Sequence, residues 1–167
     1  LDFMNLAAVV DKMTVVYWQK LNPGGDDTTS SWWFKSQSAS SGNRGAQAHT
    51  PWGGQVYFDT TGCCAGGSQR VNGNPADTFD DWDWDDELWH HFVFIKDGES
   101  KTTYIDGQLH LESEGANPFV DDFTDGYVGG NENGGNRPDA FIDDFAVFVA
   151  ALTEAVSYTH LTLPTTR

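Results

Sequence analysis

Apolar residues recur at every second position through much of this chain, and pairs of turn-forming residues cut that alternation into short runs. A period of two belongs to β-strands, whose side chains point to opposite faces in turn. In Met13-Thr14-Val15-Val16-Tyr17-Trp18-Gln19-Lys20-Leu21, one face carries Met13, Val15, Tyr17 and Gln19, and the other carries Val16 and Trp18. Both faces of this strand are therefore expected to be at least partly covered. Further β-rich runs lie at 31–35, 55–59 and 88–96, and a last one covers 140–149 after a Gly/Asn loop at 129–136. Asp97-Gly98 and Asp106-Gly107 separate three of these runs, and Asp-Gly suits hairpin turns that need positive φ. Three consecutive antiparallel strands are predicted around them. Nowhere does a capped, 3.6-period stripe persist. An all-β, antiparallel sandwich or jelly roll is the fold class expected.

The chain has 167 residues, room for one domain, and a formal charge of −16 from 9 basic and 25 acidic residues. That charge argues against nucleic acid as partner, because phosphate binding needs clustered Lys and Arg. It argues equally against an anionic membrane surface. No run approaches the roughly 20 apolar residues of a membrane span. Residues 1–155 read as the domain. Residues 156–167, from Val156 to Arg167, resemble a translated sequencing-library adapter and are set aside as a non-native tail. A chain opening at Leu1 reads as a fragment, with any export signal upstream.

The densest chemical signal is Asp77-Thr78-Phe79-Asp80-Asp81-Trp82-Asp83-Trp84-Asp85-Asp86-Glu87. Crowded carboxylates invite a hard cation, since Ca²⁺ takes six to eight oxygen ligands. Asp81, Asp83 and Asp85 share a face if extended, with Trp82 and Trp84 opposite; the alternative is a solvated acidic loop. The spacing is not that of an EF-hand. Tryptophan is the second signal, because an indole face stacks on a sugar ring while nearby polar groups take its hydroxyls. Trp52, Trp82 and Trp84, in loop-like polar surroundings, are the candidate ligand platform. Trp18 and Trp89 are expected in the core. Trp32 and Trp33 point to opposite faces, so one of them is expected to be exposed. Cys63 and Cys64, the only cysteines, form either a vicinal disulfide or two free thiols. His49 reads as loop, and of His90 and His91 one is expected to be buried and hydrogen-bonded. No histidine is assigned to a metal.

The ordered set Thr14-Val15-Val16-Tyr17-Trp18, Trp89-His90-His91-Phe92-Val93, Tyr104-Ile105-Asp106-Gly107, Phe141-Ile142-Asp143-Asp144-Phe145-Ala146-Val147-Phe148 and Ala151-Leu152-Thr153 resembles the laminin-G-like, concanavalin-A-like jelly-roll family. Ala48-His49-Thr50-Pro51-Trp52, Val56-Tyr57-Phe58-Asp59 and Gly62-Cys63-Cys64 look like a bacterial subset of it. The resemblance implies a fold truncated at both ends, its first strand lying before Leu1. It implies a non-catalytic, extracellular or cell-envelope module of a larger protein, binding a glycan or other surface ligand beside neighbouring domains. It also implies a Ca²⁺ ligand at Asp143; the alternative is a carboxylate that caps neighbouring loop amides. A structural or adhesion module is the second class. The third is a jelly-roll glycoside hydrolase, which needs paired carboxylates on a strand. Asp81-Trp82-Asp83-Trp84-Asp85 lacks the Glu residues of that motif, and Asp143 and Asp144 are expected on opposite faces, so no catalytic residue is assigned.

Overall fold

The computed structural model describes residues 10–37, 44–61, 69–131 and 133–153; Cys63, Cys64 and the adapter-like tail lie outside them. Ten strands follow in chain order: β1 Lys12–Leu21, β2 Trp32–Lys35, β3 Arg44–Trp52, β4 Gln55–Thr60, β5 Arg70–Gly73, β6 His90–Asp97, β7 Ser100–Ile105, β8 Gln108–Ser113, β9 Asp125–Val128 and β10 Ala140–Phe148. They form two antiparallel five-stranded sheets, ordered β10-β1-β6-β7-β8 and β5-β4-β3-β2-β9. This is the sandwich the alternation predicts. No described helix is long and apolar enough to cross a membrane.

The sheets meet through alternate residues. Met13, Val15 and Tyr17 of β1 and Phe92 and Phe94 of β6 face Trp32 and Phe34 of β2, Ala46 and Ala48 of β3, and Phe58 of β4. Register makes this possible: Val15 pairs with Phe94 and Tyr17 with Phe92, so their side chains share one face. Trp32 sits at the centre, its ring centroid 4.9 Å from Phe34, 5.7 Å from Phe94 and 6.1 Å from Phe58. On the far face of β1, Val16 packs with Val93 and Ile95, so both faces of that strand are covered.

The Asp106-Gly107 hairpin forms as predicted, with positive φ at both residues and Ile105 paired to Gln108. The other turn is shifted by one. Asp97 pairs with Ser100, so Gly98 and Glu99 make the loop, while Asp97 ends β6 and holds Lys12 at 2.8 Å. Only the first residue of this turn, Gly98, has positive φ, so a single glycine suffices.

Alternation also drives two lysines inward. Lys101 is buried, donating from Nζ to the Phe58 carbonyl at 3.0 Å and the Gln69 carbonyl at 3.1 Å. Lys96 is buried against Asp11 at 2.6 Å and over the Phe119 ring. No carboxylate is within ion-pair reach of Lys101 among the described pairs, and burial lowers its pKa to about 7. The unfolded chain therefore holds more protons than the folded one between pH ~7 and ~10.5, and stability rises with pH across that window. Below it the full penalty for burying the cation applies. In urea unfolding at a series of pH values, Lys101→Met is expected to flatten this rise. A variant whose profile runs parallel to the parent would contradict the assignment.

Candidate functional site

The outer face of the β5-β4-β3-β2-β9 sheet is polar and aromatic where its inner face is apolar. β3 shows why: Ala46 and Ala48 point into the core, and the residues that alternate with them, Gln47 and His49, point out. Hydrogen-bonding register then aligns Tyr127, Trp33, Gln47, Asp59 and Arg70 in one row across all five strands. His49, Tyr57 and Asn72 form a neighbouring row.

A continuous set of polar contacts fixes this floor. Arg70 donates through Nε and Nη2 to the two oxygens of Asp59, at 2.7 and 2.6 Å. Gln47 Nε2 donates to Asp59 Oδ2 at 2.6 Å and lies 3.0 Å from His49 Nε2. His49 Nδ1 lies 2.5 Å from the Thr29 carbonyl, an acceptor, so it carries the ring proton and leaves Nε2 to accept from Gln47. Burial lowers the His49 pKa, in keeping with a neutral ring. Asp59 is only 1% exposed, yet each oxygen is engaged, which is what allows a carboxylate to remain there.

Above this floor lies a cavity of about 180 Å³, walled by Trp33, Trp52, Tyr57, Arg44 and Arg70. Arg44 stacks over the Trp33 ring at 4.9 Å and Arg70 over Tyr57 at 4.8 Å. The Trp33 indole N–H is buried and has no hydrogen-bond partner among the described residues. One rim is the loop between β9 and β10. Asn131 Oδ1 accepts from the amides of Asn133 and Gly135, and Asn131 Nδ2 donates to Asn136 Oδ1 at 2.8 Å. Asn136 Nδ2 in turn donates to the Thr28 carbonyl, tying the loop to the sheet.

The sequence-predicted residues do not gather here as a group. Trp52 joins the cavity, 36% exposed and 4.7 Å from the His49 ring. Trp82 and Trp84 line a separate cavity of about 420 Å³ with Asp26, Asp83 and Asp85, across the β3–β4 hairpin. Both are half-buried against the core, and Trp84 Nε1 donates to the Gly54 carbonyl at 3.0 Å. Asp81, Asp83 and Asp85 are exposed in a series of turns, not on an extended strand. Asp83 Oδ1 accepts from the Asp85 amide and Asp85 Oδ1 from the Gly24 amide. Asp143 caps the Asp144 amide at 2.8 Å. Among the described residues no three His, Cys, Asp or Glu side chains converge as metal ligands.

Several single expectations are corrected. His49 and Trp52 lie in β3, not in a loop, because the strand continues through the cis Thr50–Pro51 bond with a register shift before Trp52. Trp32 and Trp33 do face opposite ways, yet neither is exposed; Arg44 covers the outer one. Trp89 is half-buried against Phe141 rather than in the core. Asp143 and Asp144 are both exposed, because the register shift opposite Val16 and Trp18 and the positive φ of Asp144 break the alternation there. His91 is fully buried beside Trp18, 4.9 Å between rings. The His90 ring meets two carboxylates, with Nδ1 2.7 Å from Asp106 and Nε2 3.1 Å from Asp86, and the His91 amide donates to Asp106 Oδ1 at 2.8 Å. Burial pulls the His90 pKa down, and those two carboxylates more than offset it, leaving it raised. His90 thereby ties the acidic loop to the other sheet.

A further depression, on the outer face of the β10-β1-β6-β7-β8 sheet, is floored by Val16, Trp18 and Phe148 with Asp144 at its edge. It lacks the cavity's convergence of cations and aromatic rings.

Solved structures with the same arrangement include the binding domain of botulinum neurotoxin DC in complex with rat synaptotagmin II (TM-score 0.60, 13% identity, 91% of this chain and 35% of that one). The botulinum neurotoxin serotype G binding domain matches with TM-score 0.62 and 12% identity, over 89% of this chain and 35% of that one. Trypanosoma rangeli sialidase matches with TM-score 0.60 and 15% identity, over 89% of this chain and 22% of that one. The chain thus spans about a third or less of the length of these neighbours, and identities this low establish the fold alone. No curated protein matches the sequence. The family model for the concanavalin A-like lectin/glucanases superfamily matches residues 8–156, nearly the whole chain, in agreement with the two-sheet topology. The chain belongs to the concanavalin A-like lectin/glucanase superfamily.

Proposed function

We propose that this domain is a non-catalytic glycan-binding module of a larger extracellular or cell-envelope protein, and that it holds a saccharide in the cavity over Trp33 and Trp52. The observation that carries this reading is the meeting of exposed aromatic surface with fixed polar groups and a buried indole N–H that lacks an acceptor. Sugar rings stack on such faces, and a few placed polar groups set their orientation. The non-catalytic part rests on the carboxylates. A retaining glycosidase needs two of them about 5–5.5 Å apart. In this floor the carboxylate is Asp59, nearly inaccessible and held by Arg70 and Gln47. The neurotoxin neighbours are themselves binding domains, which supports a binding role.

The test is retention on a polysaccharide panel by the parent, Trp52→Ala and Trp84→Ala. Trp52→Ala is expected to weaken binding about tenfold, some 1.4 kcal/mol, and Trp84→Ala to leave it nearly intact. Loss in Trp84→Ala alone would move the site to the acidic loop. A folded domain that retains no glycan would end this reading in favour of a structural or adhesion module that contacts protein. Calcium enters the proposal only through the acidic loop and Asp143. Since Asp83, Asp85 and Asp143 each accept from a backbone amide, chelator is expected to leave the melting temperature unchanged, and a fall would restore calcium to the account.

A further inference from the structure

We infer that His90 is a proton-operated clasp on the acidic loop at 77–89: its imidazolium fastens the loop to the sandwich through Asp86, and loss of one ring proton loosens it. The loop packs Phe79, Trp82 and Trp84 onto one end of the core. Trp84 stacks on Phe92 of β6, 6.3 Å between centroids, and Trp82 lies against the His90 ring at 4.4 Å. Charge works against that packing. The loop carries seven carboxylates, and no Lys or Arg occurs from Val71 through Ile95. Among the described ion pairs, His90 is the only base that meets one of those carboxylates. Asp81 and Glu87, on either side of the stretch from Trp82 to Asp86, also hold positive φ, which L residues adopt at a cost.

Each nitrogen of the His90 ring faces a carboxylate, Asp106 at 2.7 Å from Nδ1 and Asp86 at 3.1 Å from Nε2. A neutral imidazole has one N–H and satisfies one of them; the imidazolium satisfies both. Asp106 stands in the β7–β8 turn, where its other oxygen accepts from the His91 amide, so the shorter Nδ1 bond is the one a neutral ring keeps. Nε2 then presents a lone pair to Asp86, and an attraction becomes a repulsion. The other Asp86 oxygen accepts from the Leu88 amide, a bond within the loop. Among the described residues the charged groups facing the ring are these two carboxylates. Gln19, its partner in register on β1, is uncharged and bonded to Thr50, and the Trp82 indole covers the ring face. At the start of the loop His110 Nδ1 lies 2.8 Å from the Thr78 hydroxyl; burial lowers the His110 pKa, so it titrates below His90. Burial also pulls the His90 pKa down, but Asp106 and Asp86 more than offset it. The clasp is therefore closed below pH ~6.5 and opens as pH rises through the raised pKa, opposite in direction to Lys101.

The experiment follows chymotrypsin cleavage after Trp82 and Trp84 in the full chain from about pH 5.5 to about pH 8.5, the range in which a histidine titrates. Each rate is divided by that of a free peptide of residues 77–89 at the same pH, which removes the protease's own pH dependence. In the parent the relative rate is expected to rise about tenfold across this range, with the midpoint of the His90 ring signal in NMR spectra. His90→Gln is expected to abolish the rise. Asp86→Asn is expected to be cleaved at every pH about as fast as the parent at its upper end, and it carries the test where His90→Gln does not fold. A flat rate in the parent overturns the clasp. The same rise in His90→Gln, or in Asp86→Asn, also overturns it by assigning the change to another group. Cleavage after Phe94, buried in β6, is the control for global unfolding. A rise there equal to that at Trp82 and Trp84 would show that the whole domain opens and overturns a local device.

Discussion

Trp32→Ala is expected to destabilise the domain by about 3–5 kcal/mol, the range for deleting a large aromatic from a packed core. The indole is fully buried and bridges the sheets, touching Phe34 and Phe58 of its own sheet and Phe94 of the other. Its removal leaves a cavity where strands cannot collapse without breaking two ladders. Its neighbour provides the control. Trp33 is equally hidden, at 3% exposed, but what covers it is the Arg44 side chain rather than a second sheet. Trp33→Ala opens to solvent and is expected to cost about 1–2 kcal/mol, near the transfer value for one covered side chain, while removing glycan binding. Urea unfolding of the two variants, read with glycan retention, separates them. Equal destabilisation would mean that the outer face is a second core and not a ligand floor.

Asp59→Asn is expected to cost about 2–3 kcal/mol, between the values for exposed and fully buried ion pairs. The carboxylate is buried while Arg70 is about a quarter exposed, so the guanidinium, on losing Asp59, regains water only in part. Asparagine also has one acceptor oxygen in place of two, so its NH2 faces either the Arg70 Nε–H or the Gln47 donor, and at least one of these bonds is lost. Arg70→Gln in the same chain is expected to recover part of the loss, because the charge that Asp59 offsets is then removed as well. A double variant with the summed cost of both singles would show that the pair is not coupled.

Much of the fold is legible in local sequence. β1 and the Asp106-Gly107 hairpin follow from alternation and turn chemistry alone, since each depends on residues within reach of one another along the chain. β3 was hidden for an equally physical reason. Gly45, Ala46 and Ala48 have low strand preference, and Pro51 interrupts the run. The signal that could have revealed it is Gly53-Gly54, which makes a two-residue turn with both φ positive and joins Trp52 to Gln55. The candidate site was nearly illegible. Of its residues only Trp52 belongs to the ligand platform expected from the sequence, because Trp33, Arg44, Gln47, Tyr57 and Arg70 come from four strands and meet only through register. The acidic Trp-rich loop stands out by composition, but Asp83, Asp85 and Asp86 accept from backbone amides and its indoles pack against the core.

The most direct test of the proposed site uses the indole N–H signals of the seven tryptophans in ¹⁵N-correlated spectra, followed during titration with an oligosaccharide of a retained polysaccharide. The Trp33 signal is expected to move most, as its buried N–H gains an acceptor, and Trp52 to move with it. A titration that shifts Trp82 and Trp84 while Trp33 stays fixed would contradict the placement of the ligand on the β5-β4-β3-β2-β9 face.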